Sequence, residues 1–246
     1  MVFTNTRNVI MSTAEGSRRI VTNGLVLYLD AANPKSIVSG STIWNDLTIN
    51  GNNGTLVNGP TFNSANVGSI LFDGSNDYCG LTLSSNQTNF DYISICSWVN
   101  VSLSGQGYVI SAQFNGTSVP YHLNVGGNNS PTALDGIAFL ISGGSGNWKN
   151  SGINTNIRGD GKWHYVVGTF DGTTLSYYID ASLNASSLEG LGLTLPKSNT
   201  IPKIGSYTND SGFFSGYISN IQIYNRALSS QEIRQNYNAT KGRFGL

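Results

Sequence analysis

The chain has 246 residues, a length at which an all-β sandwich can remain one domain. Its 13 basic and 13 acidic side chains cancel, and charged residues make up only 11% of the chain, so we expect no basic surface for nucleic acid. The sequence is 39% hydrophobic, which is too apolar for disorder, and no apolar run is long enough for membrane insertion. These features exclude nucleic acid and the membrane interior as expected partners.

The first 20 residues differ from the rest of the chain. They are rich in Thr, Asn, Ser and Arg, and their apolar residues are confined to short pieces such as Val2-Phe3. Because so few apolar side chains cannot build a core, we predict that residues 1–20 form an N-terminal arm that becomes ordered against a partner. The segment also lacks the charged start and apolar stretch of a signal peptide, so no secretion is expected.

Residues 21–228 are predicted to form short strands between Gly- and Asn-rich turns, the pattern of a β-sandwich. The clearest hairpin is Gly161–Asp180. Aromatic and β-branched residues alternate along Trp163–Gly168, an Asp-Gly turn follows at 171–172, and Leu175–Ile179 resumes the strand pattern. This segment predicts two antiparallel strands.

Residues 229–246 contain the chain's clearest helical pattern. Ser229 and Glu232 have the spacing of a capping box, and Gly242 follows the expected helix. We therefore predict a short C-terminal helix and tail, with the helix closing one end of the sandwich.

Cys79 and Cys96 are the two cysteines. They could pair across neighbouring strands or remain small buried thiols. The missing secretory signal favours free thiols, because cytoplasmic proteins rarely carry structural disulfides.

Six blocks of sequence, in order, resemble the laminin-G-like (LamG-like) family of concanavalin A-like lectin/glucanase jelly rolls. The resemblance implies an all-β fold, a two-sheet antiparallel jelly-roll sandwich with a short C-terminal helix. The blocks are Gly24–Ala31, Trp44–Leu56, Phe72–Tyr78, Ile93–Val99, Trp163–Thr174 and Gly216–Ser229.

Two further stretches, Gly24–Ser36 and Asn238–Leu246, resemble LamG-like virion structural proteins of tailed bacteriophages. This resemblance implies a non-enzymatic virion component, assembled in the host cytoplasm and located on the capsid as decoration or on the tail. Its arm would bind other virion proteins, and it could form a homo-oligomer. The alternative is an adhesin, such as a tail fibre, that binds glycans of the host surface.

Catalysis is not expected. The E-x-D-x-E strand of the glucanase relatives, whose alternation pairs carboxylates on one face, is absent. Glutamate occurs only at positions 15, 189 and 232, and the two histidines, His122 and His164, belong to different predicted strands. The chain is therefore predicted not to be an enzyme.

No cofactor is required, but the LamG-like resemblance implies a structural Ca²⁺ site near the start of the chain. Its oxygen ligands would come from Asp30, Asp46 and Asn53. The family's late acidic pair is replaced here by Ser219-Asn220, which weakens this expectation. The alternative is that the two aspartates cap turns.

Sugar recognition by a β-sandwich is expected to use exposed aromatic rings flanked by amides and carboxylates. Trp44, Trp98 and Trp163 belong to the motif blocks and are assigned to the core, whereas Trp148 lies in a loop rich in Gly, Ser and Asn. The alternative is that the loop aromatics cover the sandwich end or pack against a neighbouring protomer. The predicted ligand-binding residues, from two loops, are Asn147, Trp148, Tyr207, Asp210, Phe213 and Phe214.

Overall fold

A computed structural model describes residues 19–65, 67–83, 90–103, 107–114, 118–125, 137–142, 148–151, 157–188, 193, 195, 202–207 and 210–246. In these ranges the chain forms sixteen strands and an α-helix, α1 (Ser230–Thr240), followed by a 3-10 turn at Lys241–Phe244. The strands are β1 (Leu25–Asp30), β2 (Ile43–Trp44), β3 (Gly54–Val57), β4 (Thr61–Asn63), β5 (Ser69–Asp73), β6 (Tyr78–Leu81), β7 (Ile93–Val101), β8 (Tyr108–Phe114), β9 (Ser118–Val125), β10 (Ile137–Ser142), β11 (Trp148–Asn150), β12 (His164–Phe170), β13 (Leu175–Ile179), β14 (Ser182–Ser187), β15 (Lys203–Ile204) and β16 (Ser215–Tyr224).

The strands form two antiparallel sheets of eight strands each. Sheet I has the order β14-β13-β12-β7-β16-β5-β4, and β1 also pairs with β16. Sheet II has the order β11-β10-β9-β8-β15-β6-β3-β2. Strands distant in sequence are neighbours in both sheets, as in β7–β16 and β6–β15. The predicted two-sheet antiparallel sandwich with a C-terminal helix is confirmed.

The main core lies between the two sheets. Sheet I contributes residues such as Ile95 and Ile221, and sheet II contributes residues such as Leu123 and Ile204. The sheets approach closely at Gly168, where a Cβ atom would lie 2.3 Å from the ring of Phe139. The side chain of Trp44 is also buried in this core, as predicted.

The predicted hairpin forms as β12 and β13. Val166–Phe170 pairs with Leu175–Ile179. The turn is held by Asp171, whose Oδ1 accepts the backbone N–H groups of Thr173 and Thr174. Gly172 has φ 91°, a value that favours glycine over other residues.

A second apolar cluster covers the outer face of sheet I. Trp98 is fully buried there and stacks on Phe244 at 4.0 Å and on Tyr237 at 5.5 Å between ring centroids. Its Nε1–H donates to Oγ1 of Thr240 at 2.8 Å, and the half-buried ring of Trp163 lies 5.0 Å from Phe244. Trp98 is therefore a core residue, but it lies under the helix rather than between the sheets.

The position of α1 corrects one expectation. The predicted capping box is present, because Ser229 Oγ accepts the Glu232 N–H while the Glu232 carboxylate accepts the Ser229 N–H. However, the helix packs across the outer face of sheet I instead of closing an end of the sandwich. The reason is that β7, β12 and β16 carry apolar residues on both faces, and the outer set needs a cover. Gly242 follows the helix as predicted, since α1 ends at Thr240, and the left-handed residue after the 3-10 turn is Gly245.

Residues 1–18 of the predicted arm lie outside the described residues. The residues that follow contact α1 and β16. In α1, Asn236 Oδ1 accepts the Val21 N–H at 2.7 Å and Gln235 donates to the Arg19 carbonyl. In β16, the Tyr224 O–H donates to the Val21 carbonyl at 2.9 Å. The described chain therefore starts on the outer face of sheet I.

Cys79 and Cys96 are free, and they lie in different clusters, one between the sheets and one beneath α1. Burial raises the pKa of the Cys96 thiol to about 12. Among the helices of the described residues, none combines the length and the hydropathy that crossing a membrane requires.

Candidate functional site

The outer face of sheet II carries polar and aromatic side chains on its central strands. On β9, Tyr121, Leu123 and Val125 belong to the core, so His122 and Asn124 lie on the opposite face. Cross-strand pairing then places three more residues on this outer face. The pairs are Tyr108 with Asn124, Ser111 with His122, and Lys203 with Ser111.

Three rings form a compact group on this face, which we call the tyrosine–histidine cluster (Tyr108, His122 and Tyr207). The ring centroids of Tyr108 and His122 are 5.0 Å apart, those of Tyr108 and Tyr207 are 4.9 Å apart, and those of His122 and Tyr207 are 6.2 Å apart. Tyr108 and His122 are buried, whereas Tyr207 is half-buried. The cluster therefore leaves the Tyr207 ring partly exposed to solvent, in contact with two buried rings.

A tight turn holds Tyr207 in place. Its N–H donates to the Ser211 carbonyl at 2.8 Å, and the Asp210 N–H donates back to the Tyr207 carbonyl at 3.1 Å. The Gly212 carbonyl accepts the N–H of Tyr108. Gly212 has φ 57°, and a Cβ there would lie 2.6 Å from the Tyr108 ring, so this close approach requires glycine. The loop is thereby fastened to β8.

The charges of the face are paired with each other. Lys203 Nζ lies 4.3 Å from the centroid of the Tyr78 ring and binds Asp210 Oδ1 at 2.5 Å. The side chain of Asp210 is 61% exposed and that of Lys203 is 15% exposed. The Lys203 side chain is therefore largely buried, whereas the Asp210 carboxylate is exposed to solvent.

Burial keeps the cluster uncharged at neutral pH. It lowers the pKa of His122 to about 3 and, together with the nearby Tyr207, raises the pKa of Tyr108 to about 12. The pKa of Tyr207 is also raised by burial. The cluster can therefore offer ring surface and neutral hydrogen-bonding groups, but no proton donor or acceptor that titrates near pH 7.

The structure brings together part of the predicted ligand-binding set. Tyr207, a member of the cluster, and Asp210 lie in one loop, and Phe213 is half-buried in the same loop. Phe214 is a correction: its ring is fully buried and meets Phe72 edge-on at 6.2 Å, so it belongs to the main core and cannot meet a ligand. The chain alternates as it enters β16, so only one of the two adjacent phenylalanines can lie near the surface.

The second predicted loop is only partly described. Asn147 lies outside the described residues. Trp148 begins β11, the edge strand of sheet II, and its backbone pairs with Ser142 of β10. Four strand spacings separate β11 from β15, a distance of about 19 Å. A role for Asn147 and Trp148 in ligand binding stays a prediction.

The residues of this face that were not predicted as site residues include Tyr108, His122 and Lys203. A signal was present for one of them, because His122 interrupts the apolar positions of Tyr121, Leu123 and Val125 at every second residue. Such alternation indicates that His122 and Asn124 share a face. The pairing of β8, β9 and β15, which brings the three residues together, has no local sequence signal.

The predicted calcium ligands have other partners. Both carboxylate oxygens of Asp46 accept hydrogen bonds: Oδ1 from the N–H groups of Tyr28 and Thr48, and Oδ2 from the Thr48 hydroxyl and the Asn52 N–H. Asn53 Oδ1 accepts the Asp46 N–H at 2.9 Å. These contacts make Asp46 a turn-forming residue.

Asp30 is bound by an arginine. Its two oxygens contact the guanidinium nitrogens of Arg243 at 2.5 and 3.1 Å, and they also accept the Tyr28 O–H and the Ala32 N–H. A Ca²⁺ ion needs about six to eight oxygen ligands and would be repelled by the guanidinium. The described residues also hold no group of three His, Cys, Asp or Glu side chains suited to a metal. The three residues therefore do not fit a calcium site in this arrangement.

His164 has its own carboxylate partners at one end of β12. Its Nδ1 lies 2.8 Å from Asp180 Oδ2 and its Nε2 lies 2.9 Å from Asp160 Oδ2. Burial lowers the pKa of His164, but the hydrogen bonds to the two carboxylates outweigh it and the net pKa is raised. Because both ring nitrogens are engaged, His164 is not arranged to exchange a proton with a substrate.

Asp73 and Asp77 have pKa values shifted in opposite directions, a feature also found in acid–base pairs. Hydrogen bonds, led by the Ser75 backbone N–H, lower the pKa of Asp73, whereas burial raises that of Asp77. However, Asp77 Oδ2 accepts the Asp73 N–H at 3.0 Å, and Asp73 Oδ1 accepts the N–H groups of Ser75 and Asn76. These contacts shape the turn between β5 and β6.

The fold is an antiparallel β-sandwich of two sheets, and a family model recognises it in the sequence. Residues 73–234 match the Laminin_G_3 family, described as the concanavalin A-like lectin/glucanases superfamily. Because the match covers more than half of the chain, the protein belongs to this family. No curated protein sequence matches the chain.

Solved structures share the fold at low sequence identity. The binding domain of botulinum neurotoxin DC in complex with SialylT has a TM-score of 0.66 and 14% identity over 88% of this chain and 51% of that one. A structure on the entry of botulinum neurotoxin type C through two ganglioside molecules has a TM-score of 0.63 and 15% identity over 88% and 51%. The Trypanosoma rangeli sialidase has a TM-score of 0.63 and 19% identity over 91% and 34%. The chain thus spans about half of the toxin domains and a third of the sialidase.

Proposed function

We propose that this chain is a non-enzymatic glycan-binding module and that its binding site is the outer face of sheet II around the tyrosine–histidine cluster. The observation that carries the proposal is the half-buried Tyr207 ring, which is supported from below by Tyr108 and His122. Sugar C–H groups stack on such rings, while Asp210 at the rim can accept hydrogen bonds from hydroxyl groups. Two of the similar toxin structures, one in complex with SialylT and one concerned with interaction with gangliosides, support the choice of ligand class.

The charges of the face favour a neutral glycan. In the described part of the chain, the positive charge of this face comes from Lys203, which is already bound to Asp210. An acidic sugar would have to displace that carboxylate, whereas a neutral sugar can bond to it. We therefore expect neutral oligosaccharides to bind more tightly than sialylated ones, with little change between about 50 and 300 mM salt.

A glycan array followed by titration tests the proposal. Tyr207→Ala should weaken binding about tenfold, since ring stacking and the lost apolar contact together amount to about 1.4 kcal/mol. The matched control is Tyr92→Ala, which removes a half-exposed tyrosine just before β7 of sheet I. Equal binding by the two variants, at unchanged melting temperatures, would contradict the site.

The absence of catalysis is part of the proposal. The support is that His164, Asp73 and Asp77 are each engaged in contacts within the protein. Incubation with bound oligosaccharides should release no reducing ends. Release that disappears when Asp77 is changed to Asn would show a hydrolase instead.

We also propose that the module belongs to a tailed-phage virion, on the capsid or the tail, with residues 1–20 attached to other virion proteins. The sequence resemblance of Gly24–Ser36 and Asn238–Leu246 supports this setting. So does the location of residues 19–21 on the outer face of sheet I, opposite the glycan face. Particles carrying a chain without residues 1–18 are the test: normal incorporation of the truncated chain would contradict the attachment role.

A further inference from the structure

Asp30 is a buried carboxylate at the end of β1, and its positive partner comes from the other end of the chain. The side chain of Asp30 is 10% exposed and that of Arg243 is 20% exposed. The guanidinium meets both carboxylate oxygens, one with each terminal nitrogen. This is the two-pronged geometry that makes arginine–carboxylate pairs strong.

The surroundings of the pair complete its hydrogen bonding. The Tyr28 hydroxyl donates to Asp30 Oδ2 at 2.9 Å, and the Ala32 N–H donates to Oδ1 at 3.0 Å. Ser219 Oγ accepts a hydrogen bond from the Arg243 guanidinium at 3.4 Å. The site therefore contains one carboxylate, two hydroxyls and one guanidinium. The guanidinium neutralises the carboxylate, so no metal ion is needed to balance its charge.

Neighbouring packing fixes Arg243 in this position. The next residue, Phe244, stacks on the buried Trp98 at 4.0 Å, and the 3-10 turn ends in a left-handed Gly245. Arg243 is thus delivered to Asp30 by an anchored segment rather than by a free tail. The cost of ordering the long side chain is lowered accordingly.

We propose that Arg243 takes the place of a bound divalent cation at the first strand, so that the domain folds and stays folded independently of Ca²⁺. In this arrangement the C-terminal segment is an internal structural ligand: it neutralises Asp30 and ties β1 to the cover of sheet I. The inference stands on the Asp30 contacts and does not depend on the proposed glycan binding.

Thermal unfolding with and without calcium tests this inference. The wild-type melting temperature should be the same in about 2 mM CaCl₂ and in about 2 mM EDTA, because Arg243 already occupies both oxygens of Asp30. Arg243→Gln should lower it by about 5–10 °C, since it leaves a mostly buried carboxylate without its counter-charge. The matched control is Arg234→Gln, which removes an exposed arginine of α1 and should change little.

A double-mutant cycle separates the pair from a general loss of packing. Asp30→Asn combined with Arg243→Gln should be clearly less destabilised than the sum of the two single variants. A fall in the wild-type melting temperature on adding EDTA, or a rise on adding CaCl₂, would overturn the proposal. So would additive effects of the two substitutions, or an Arg243→Gln variant as stable as the Arg234→Gln control.

Discussion

Replacing Trp98 by alanine tests how much the cover of sheet I contributes to stability. The indole is fully buried between β7 and the C-terminal segment, where it contacts the rings of Tyr165, Tyr237 and Phe244. It also donates a hydrogen bond to Thr240. The substitution therefore opens a cavity at the centre of the helix–sheet contact.

The magnitude follows from these contacts. Truncating a buried tryptophan costs about 3–5 kcal/mol in unfolding free energy. Thr240 adds little to this cost, because its hydroxyl also donates to the Asn236 carbonyl at 2.8 Å and would stay satisfied. A loss of about 4 kcal/mol corresponds to a fall of about 8–16 °C in melting temperature for a chain of this size.

Urea unfolding and calorimetry of Trp98→Ala and Trp98→Phe provide the measurement. The phenylalanine variant keeps most of the ring contact and should lose about half as much stability as the alanine variant. Glycan binding per folded molecule should be unchanged in both, since the cluster lies on the other sheet. If Trp98→Ala costs less than about 1 kcal/mol, then α1 does not pack on sheet I as described.

Three shorter predictions follow from other contacts. Because the pKa of folded His164 is raised, its stabilising contribution is present below its unfolded pKa of about 6.5 and is lost at higher pH, so His164→Gln should destabilise more at about pH 5.5 than at about pH 8.5. Gly168→Ala should cost about 1–3 kcal/mol, since its Cβ would overlap the ring of Phe139, whereas Gly80→Ala, with 3.8 Å to its nearest atom, should be tolerated. Hydrogen bonds from the guanidinium of Arg226 lower the pKa of Glu232 to about 2, so stability should fall more steeply in the wild type than in Glu232→Gln as the pH drops from about 4.3 towards 2. Unfolding curves across pH, or for the glycine variants at one pH, check each outcome, and equal curves for variant and control would contradict it.

Local features of this fold could be predicted because their causes lie within a few residues. The Asp171-Gly172 turn is made by a side chain bonding two residues onward, and the Ser229–Glu232 capping box spans a single helical turn. Both are visible in the sequence as spacing. The two-sheet jelly-roll arrangement was expected from the family resemblance instead, whereas the order of the strands within each sheet was not predicted.

The assignment of faces was harder. Every residue of β7 except Asn100 is buried, and large apolar side chains lie on both faces, so hydrophobicity alone does not tell Ile95, which faces sheet II, from Trp98, which faces α1. For the same reason the helix was expected at an end of the sandwich. When both faces of a strand are buried, its sequence does not show which face packs against the other sheet and which against the helix.

The candidate site was predicted only where one loop carries it. Tyr207 and Asp210 are three residues apart, and their loop chemistry is visible in the sequence. Tyr108, His122 and Lys203 join them through strand pairings that span up to about a hundred residues, and the register of such pairings depends on the whole core. The Arg243–Asp30 pair, 213 residues apart, was missed for the same reason.

The contacts of Val21 also set the path of mechanical load through the molecule. Tension applied at residue 19 would run along the backbone into β1, and it would be shared through the hydrogen bonds of Val21 with Asn236 in α1 and Tyr224 in β16. Strand β16 pairs with β1, β5 and β7. Strands of sheet II are not on this route. A pull on the chain in that direction would strain the helix and the centre of sheet I first, while the geometry around Tyr207 would stay unchanged until the sandwich itself yields.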